Sequence, residues 1–194
     1  MTEKRTPAPA ETTRPIEPVT WLILVYKVPS EPTRLRATVW RRLKTLGAIY
    51  LQNSVAALPA GPMAERALRS LRKEITESMD GKATLLSSSA LVGGGDLVAE
   101  YNAARDDDYE EIVDRCQDFH RGLAKEVDAG HFTYGELEEN EEDLAKLRGW
   151  YEKVKARDVL GASGAQAVET ALEGCELAIQ DFVARVYEAD DAGH

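Results

Sequence analysis

Eight basic side chains on two predicted helices are the residues of this sequence best suited to bind a polyanion. On the first helix, Arg34, Arg41 and Lys44 lie opposite the apolar face, and Arg36 and Arg42 flank it. Three more basic residues share one face of the second helix. If both helices pack on the same side of a sheet, their outer faces form one cationic patch suited to phosphate groups. The full set is Arg34, Arg36, Arg41, Arg42, Lys44, Arg66, Arg69 and Lys73.

Three interpretations of this patch remain open from the sequence. The patch could bind nucleic acid, it could pair with acidic helices of the same or a second chain, or it could simply be solvated. No helix-turn-helix and no aromatic-rich sheet of the RNA-recognition type is evident, so nothing in the sequence predicts base-specific contacts.

The charge of the chain divides into two halves. Residues 1–92 contain 14 Lys and Arg against 8 Asp and Glu, whereas residues 93–194 contain 10 against 26. The chain of 194 residues has a net charge of −10. A basic half joined to a strongly acidic half suggests two surfaces with different partners.

Cysteine and histidine supply the other candidate chemistry. Cys116 and His120 are four residues apart on one helix face, a spacing that can hold a metal or lower the pKa of a thiol. Apolar residues share that face, so a core cysteine with a partly buried histidine is favoured, and Cys175 is read in the same way. Without the spacing of four ligands we expect no metal site and no cofactor. Two cysteines, no apolar signal segment and no membrane-length apolar run predict a cytoplasmic protein.

The basic half is predicted to fold as an α+β domain. A continuous apolar run at 19–28 indicates a buried strand, and the helix that follows ends at Gly47, a residue typical of helix C-termini. Asn53-Ser54 suggests a tight hairpin, because Asn tolerates a positive φ. The predicted order over 19–92 is β-α-β-β-α-β, the ferredoxin-like plan, with elements at 19–28, 34–46, 48–52, 55–58, 62–79 and 83–92.

The acidic half is predicted to be helical. Three glycines at 93–95 suggest a hinge over 93–105, and apolar residues at spacings near 3.5 then predict a three-helix antiparallel bundle or arm over 106–189. Thr133 and Glu136 match a capping box, and the acidic run 136–143 suits the start of a helix better than a calcium loop. The segments 1–18, read as disordered, and 190–194 are predicted to be tails.

Three stretches of the sequence resemble a known family. They are WLILVYKVPSEPTRLRATVWRRLKTLGAIYLQNSVAALP at 21–59, FTYGELEENEEDLAKLRGWYEKVKARD at 132–158 and FVARVYEA at 182–189. They are similar to the N-terminal domain of the chromate-resistance regulatory protein ChrB. The resemblance implies a dimeric transcriptional regulator or DNA-associated module linked to chromate resistance. The alternative is an adaptor that binds no DNA and acts with a separate chromate-responsive protein.

A more distant resemblance concerns the fold. The stretch at 52–55 is similar to one in the nuclease-like subunit of CRISPR adaptation complexes, and the central domain of phenylacetate-pathway repressors has the same plan. These ferredoxin-like domains usually dimerise, which together with the apolar seams of the helical arm implies a homodimer here. The CRISPR subunit has an acidic metal-binding residue at the end of its first strand. Lys27 stands near this position, so we expect that the protein is not a metal-dependent nuclease and not an enzyme.

Overall fold

The computed structural model describes residues 18–192, so the predicted tail at 1–18 lies outside the described residues except for Pro18. Within that range no helix has the length and apolarity required to cross a membrane. The elements in chain order are β1 (Thr20–Lys27), α1 (Arg34–Leu46), β2 (Ile49–Gln52), β3 (Val55–Pro59), α2 (Pro62–Ser78), β4 (Lys82–Ser89), α3 (Gly94–Ala129), α4 (Tyr134–Lys155) and α5 (Ala165–Ala192).

The first six elements confirm the predicted α+β class and the β-α-β-β-α-β order. The four strands form one antiparallel sheet in the order β2-β3-β1-β4. In the centre of the sheet, Ile23 of β1 is paired with Ala57 of β3 on one side and Leu86 of β4 on the other. The central position of β1 explains why its sequence is almost continuously apolar.

The two faces of the sheet are covered differently. Leu22 and Leu24 point toward α1 and α2, and the interior under these helices also contains Val39, Leu43 and Ile75. Four of these five side chains are fully buried, namely Leu24, Val39, Leu43 and Ile75. On the other face α3 covers only part of the sheet: the Tyr101 ring packs edge-on against Trp21, with centroids 5.9 Å apart. The remainder of that face is open to solvent: Val25 is 41% exposed and Leu86 is 47% exposed.

The three long helices form a second core. Their apolar seams pack against one another, and Tyr109, Cys116, Val154, Cys175 and Phe182 are buried between them. The predicted capping box begins α4, because Thr133 Oγ1 accepts a hydrogen bond from the Glu136 backbone N–H at 3.2 Å. The seams that we expected to support a dimer are therefore used inside one chain.

The predicted hinge at 93–105 is wrong, because this segment is helical from Gly94 onward. Gly93 has a φ of +72° and precedes α3, which then runs without interruption for 36 residues. Leu97, Val98 and Tyr101 recur at helical spacing and pack on the core of the sheet. The apolar contact of this first part of α3 outweighs the low helix propensity of the glycines.

Smaller details also differ from the prediction. Strand β4 ends at Ser89 instead of residue 92, and the side chains of Leu91 and Val92 are almost fully exposed. The positive φ in the β2–β3 turn, 65°, belongs to Ser54 and not to Asn53. Helix α5 continues through 190–192, which we predicted to be tail, and residues 193–194 lie outside the described range.

Two arginines of the acidic half, Arg105 and Arg157, bind the C-terminal end of α1 in the basic half, and we call this contact the joint. Arg105 of α3 is 5% exposed, donates to the Gly47 carbonyl at 2.8 Å and lies 3.1 Å from a carboxylate oxygen of Asp108. Arg157, which follows α4, donates to the carbonyls of Lys44 and Thr45 at 3.3 and 3.4 Å. Both guanidinium groups therefore bind backbone carbonyls at the C-terminus of α1, where the helix dipole is negative, and the Lys44 carbonyl also accepts from the Gly47 backbone N–H at 2.9 Å.

We expect Arg105→Ala to lower the free energy of unfolding by about 3 kcal/mol, because it leaves the buried Gly47 carbonyl without its donor and removes a partner of Asp108. Chemical denaturation followed by circular dichroism measures this value. Arg115→Ala is the matched control: Arg115 also lies on α3 and pairs with an aspartate three residues ahead, but its side chain is 58% exposed. The control should change stability by about 0.5 kcal/mol or less. If the two variants lost the same free energy of unfolding, the buried contact of Arg105 with Gly47 would not be what stabilises the chain.

Candidate nucleic-acid interface

All eight predicted patch residues lie on α1 and α2 and are exposed to solvent. The two helices pack side by side over the same face of the sheet, as the patch requires. Helix α1 contains no acidic residue, and α2 contains three, which are Glu65, Glu74 and Glu77. The outer surface of this helical layer is therefore cationic.

Four of the eight side chains line three depressions in the surface of this domain. Arg41 and Arg42 line a groove between the two helices, which we call the α1–α2 groove, together with the hydroxyl groups of Thr38, Thr45 and Ser70. Arg36 instead lines a cleft on the β2 side of α1, and Arg69 lines a depression between α2 and the edge strand β4. The predicted patch is thus a band that curves over the domain.

Ion pairing distinguishes the members of the band. Three of them contact glutamates of α2: Arg42 with Glu74 at 3.1 Å, Arg69 with Glu65 at 2.6 Å and Lys73 with Glu77 at 3.8 Å. Such exposed pairs contribute at most about 1 kcal/mol each, so phosphate groups can compete for these cations. Among residues 18–192, the members without an ion-pair partner are Arg34, Arg36, Arg41, Lys44 and Arg66.

The acidic half of the same chain does not neutralise the band. Within the described part of the chain, every ion pair of the helical bundle has both partners in the bundle, as for Lys155 with Glu169 at 2.9 Å. The two halves meet through arginine side chains and backbone carbonyls instead. Pairing of the band with the acidic helices inside one chain, one of the open interpretations, is therefore not observed in residues 18–192.

The cysteines occupy the core, as the sequence favoured. Both are buried and unbridged, and Cys175 Sγ lies 3.7 Å from the carbonyl of Cys116 and 3.6 Å from Nε2 of His120. Burial, and then the proximity of Cys116, raises the pKa of the Cys175 thiol to about 12. A thiol with that pKa is a poor nucleophile at neutral pH. His120 is exposed instead of partly buried, and its contact with α5 was not evident from the sequence.

A second group was missed from the sequence at the corner between α3 and α4. Side-chain ligand atoms of Glu126, His131 and Glu136 lie within 4.8 Å of one another, and His131 Nδ1 is 2.8 Å from Glu126 Oε2. His131 follows α3 and Glu136 lies in the first turn of α4, and their spacing in the sequence matches no known pattern of metal ligands.

The cleft on the β2 side of α1 was also missed. We call it the β1-end cleft, because it opens where β1 ends, and it has a volume of about 860 Å³. Its principal lining residues are Tyr26, Lys27, Arg36, Trp40, Tyr50 and Asn53. These residues come from β1, α1, β2 and the β2–β3 turn, so no local sequence motif could predict the cleft.

Comparison with known proteins identifies the family. A family model described as Protein ChrB, N-terminal, matches residues 36–193. Protein ChrB of Cupriavidus metallidurans is 35% identical over 86 residues, which cover 44% of this chain and 26% of that protein. The match thus spans about a quarter of the length of this relative. No solved structure matches the chain. Because the family model covers most of the sequence, including all of α1 but its first two residues, α2 and the whole helical bundle, the chain belongs to the ChrB N-terminal family.

Proposed function

We propose that this chain is a DNA-associated module of a chromate-resistance regulator and that α1 and α2 bind the phosphate backbone of duplex DNA. The observation that carries the proposal is the set of exposed cations on these helices that have no ion-pair partner among residues 18–192. The relative named Protein ChrB supports the link to chromate resistance, which comes to this chain through the family.

Backbone binding explains the type of residues in the band. Arginine and lysine neutralise phosphates without reading bases, so the expected binding is strongly dependent on salt and weakly dependent on sequence. The hydroxyl group of Ser70 beside Arg41 and Arg42 can donate a further hydrogen bond to a phosphate oxygen, whereas those of Thr38 and Thr45 donate to the backbone carbonyls of Arg34 and Arg41. Sequence selection in this proposal comes from a partner or from DNA shape.

Arg41→Ala combined with Arg66→Ala should weaken binding to DNA from the protein's own promoter and flatten the plot of log K against log salt by about two units. Each neutralised phosphate contributes a slope of about −0.9, and both arginines are exposed without an ion-pair partner among residues 18–192. Fluorescence anisotropy at several salt concentrations measures the slope. The control variant replaces Arg115 and Arg121, two exposed arginines that pair with Asp118 on the bundle, and should bind normally. An unchanged slope in the Arg41–Arg66 variant would exclude this surface.

The open part of the sheet favours a protein-binding role as a second candidate function. Val25 of the central strand β1 is 41% exposed, and Leu51 and Leu86 of the edge strands β2 and β4 are 37% and 47% exposed. An exposed apolar patch of this kind is typical of an interaction surface. The adaptor function, with a separate chromate-responsive protein as partner, would use this face and need no DNA.

We propose a second copy of the chain as the occupant of this open face in a homodimer. The acidic bundles of two copies repel each other, because residues 93–194 contain 26 Asp and Glu against 10 Lys and Arg. Association through the sheet would instead place uncharged side chains, among them Val25 and Leu86, at the contact.

Light scattering should give a mass near twice 21.4 kDa for the unmodified protein, and Val25→Asp should shift it to the monomer, because the carboxylate would be buried at the contact. Leu177→Asp is the matched control, since Leu177 is 66% exposed on α5 and should not affect the mass. A monomer at micromolar concentration before any substitution, or a dimer that survives Val25→Asp, would refute the sheet-face dimer.

We also propose that the protein does not cut nucleic acid. Lys27 lies at the end of β1, and no Asp or Glu is among the residues that line the β1-end cleft. A lysine cannot coordinate magnesium or manganese, which require oxygen ligands. Purified protein incubated with labelled DNA or RNA and either cation should leave the substrate intact on a denaturing gel. Cleavage that accompanies the protein through purification, and is absent from a mock preparation, would contradict this expectation.

A further inference from the structure

The β1-end cleft has a chemical composition that neither the fold nor the band of cations requires. It combines two cationic side chains, Lys27 and Arg36, with the exposed ring of Trp40 and the hydroxyl groups of Tyr26 and Tyr50. It shares no lining residue with the α1–α2 groove, so it is a separate site.

The charge of the cleft selects an anion. Among residues 18–192 neither Lys27 nor Arg36 has an ion-pair partner, and the lining residues include no carboxylate. Lys44, one helical turn beyond Trp40, places its Nζ atom 5.5 Å from the centroid of the Trp40 ring and adds a third cation beside the cleft. An uncompensated set of basic side chains in a concave site favours a negatively charged ligand.

The ring of Trp40 adds a second requirement. Trp40 is 49% exposed, although it lies on a helix whose other large apolar side chains, such as Leu43, are packed toward the sheet. An exposed tryptophan beside cations offers a flat surface on which a planar ring can stack. A small inorganic anion would make no use of it.

The polar groups of the cleft are suited to the oxygen and nitrogen atoms of such a ligand. The Tyr26 and Tyr50 hydroxyl oxygens are 3.3 Å apart, so one donates to the other and the second proton is left to donate elsewhere. Burial, followed by the hydrogen bond to Tyr26, raises the pKa of Tyr50, so its hydroxyl group stays protonated. The amide of Asn53 can both donate to and accept from the edge of a heterocycle.

From these observations we propose that the β1-end cleft binds a nucleotide, with its base stacked on Trp40 and its phosphate bound by Lys27 and Arg36. The nucleotide can be a free molecule or an unpaired residue of a nucleic-acid strand, since both present the same base and phosphate. Neither source requires the duplex binding proposed for α1 and α2, although Arg36 belongs to both surfaces.

Isothermal titration calorimetry with adenosine 5′-monophosphate, oligothymidylate and inorganic phosphate tests the proposal. Trp40→Leu removes the stacking surface and should weaken binding of the first two ligands about tenfold. Arg36→Gln removes a charged donor to the phosphate and should cause a loss of about the same size. Both side chains are exposed, so the thermal unfolding midpoint should not move.

Matched substitutions outside the cleft provide the control. Trp150→Leu and Arg115→Gln change a tryptophan and an arginine that line a hollow on the bundle, and both variants should bind nucleotide normally. The variant that lacks Arg41 and Arg66 should also keep its nucleotide affinity, since neither residue lines the cleft. If the protein did not bind duplex DNA, nucleotide binding to the cleft could therefore still be tested by this experiment.

Each outcome decides the question. Binding of oligothymidylate but not of the mononucleotide, with losses in both cleft variants, supports the proposal and identifies a strand as the source. Inorganic phosphate that binds as tightly as the mononucleotide, with no effect of Trp40→Leu, would show a plain anion site and overturn it. No binding of either nucleotide ligand at millimolar concentration would overturn it as well.

Discussion

The interaction on which the rest of this structure depends is the capture of the α1 C-terminus by Arg105 and Arg157. The last carbonyls of a helix have no partner within it and carry the negative end of the helix dipole, so guanidinium groups are well matched to them. Gly47 makes the contact available. Its φ of +78° turns the chain out of the helix, and a β-carbon at this position would lie 2.6 Å from Arg105 Nη1. The positive φ therefore favours a glycine here, and the missing β-carbon leaves room for the guanidinium group of Arg105.

This joint also orients the residues that carry the proposed functions. Lys44 contributes its backbone carbonyl to Arg157, while its side chain lies over the ring of Trp40. Arg105 stacks on Tyr101, with Cζ 5.0 Å from the ring centroid, and Tyr101 in turn donates a hydrogen bond to the Arg157 carbonyl. The helix that carries five of the eight cations is thereby fixed at its C-terminal end to the acidic bundle.

The aspartates in the middle of α3 have a structural role at the same place. Asp106 accepts a hydrogen bond from the Gly164 backbone N–H at 2.7 Å, which connects α3 to the start of α5. Asp108 contacts both arginines of the joint, and Tyr109 donates to Asp158 at 3.1 Å. Part of the negative charge of the second half is therefore used to hold the helices together.

Local patterns predicted most of the fold. The bounds of α1 were correct because its apolar spacing and Gly47 are both local signals, and the buried strand β1 was recognised from its continuous apolar run. The hinge at 93–105 was wrong because we gave the three glycines more weight than the helical spacing of Leu97, Val98 and Tyr101. Arg105 could not be recognised as buried, since its partner Gly47 is 58 residues away in the chain.

The candidate sites were less predictable for the same physical reason. The sequence placed each cation of the band on the correct helix. The direction in which its side chain points depends on how α1 and α2 are rotated relative to each other and to the sheet. The β1-end cleft combines the end of β1, one side of α1, strand β2 and the β2–β3 turn. A site assembled from distant segments has no sequence spacing by which it could be recognised.

The acidic bundle does not prevent α1 from binding a polyanion, because most of its carboxylates are far from α1 and their charge is screened by salt. Beyond the joint, α3 continues for 24 residues, a length of about 36 Å. At physiological ionic strength electrostatic interactions between exposed charges decay over about 8 Å. Acidic side chains near the far end of the bundle are therefore several screening lengths from α1. Those close to the joint are partly engaged, as Asp108 is by Arg105 and Arg157. A phosphate group at α1 would thus interact mainly with the cations beside it, and repulsion by the bundle would orient the chain with its helical layer toward the polyanion.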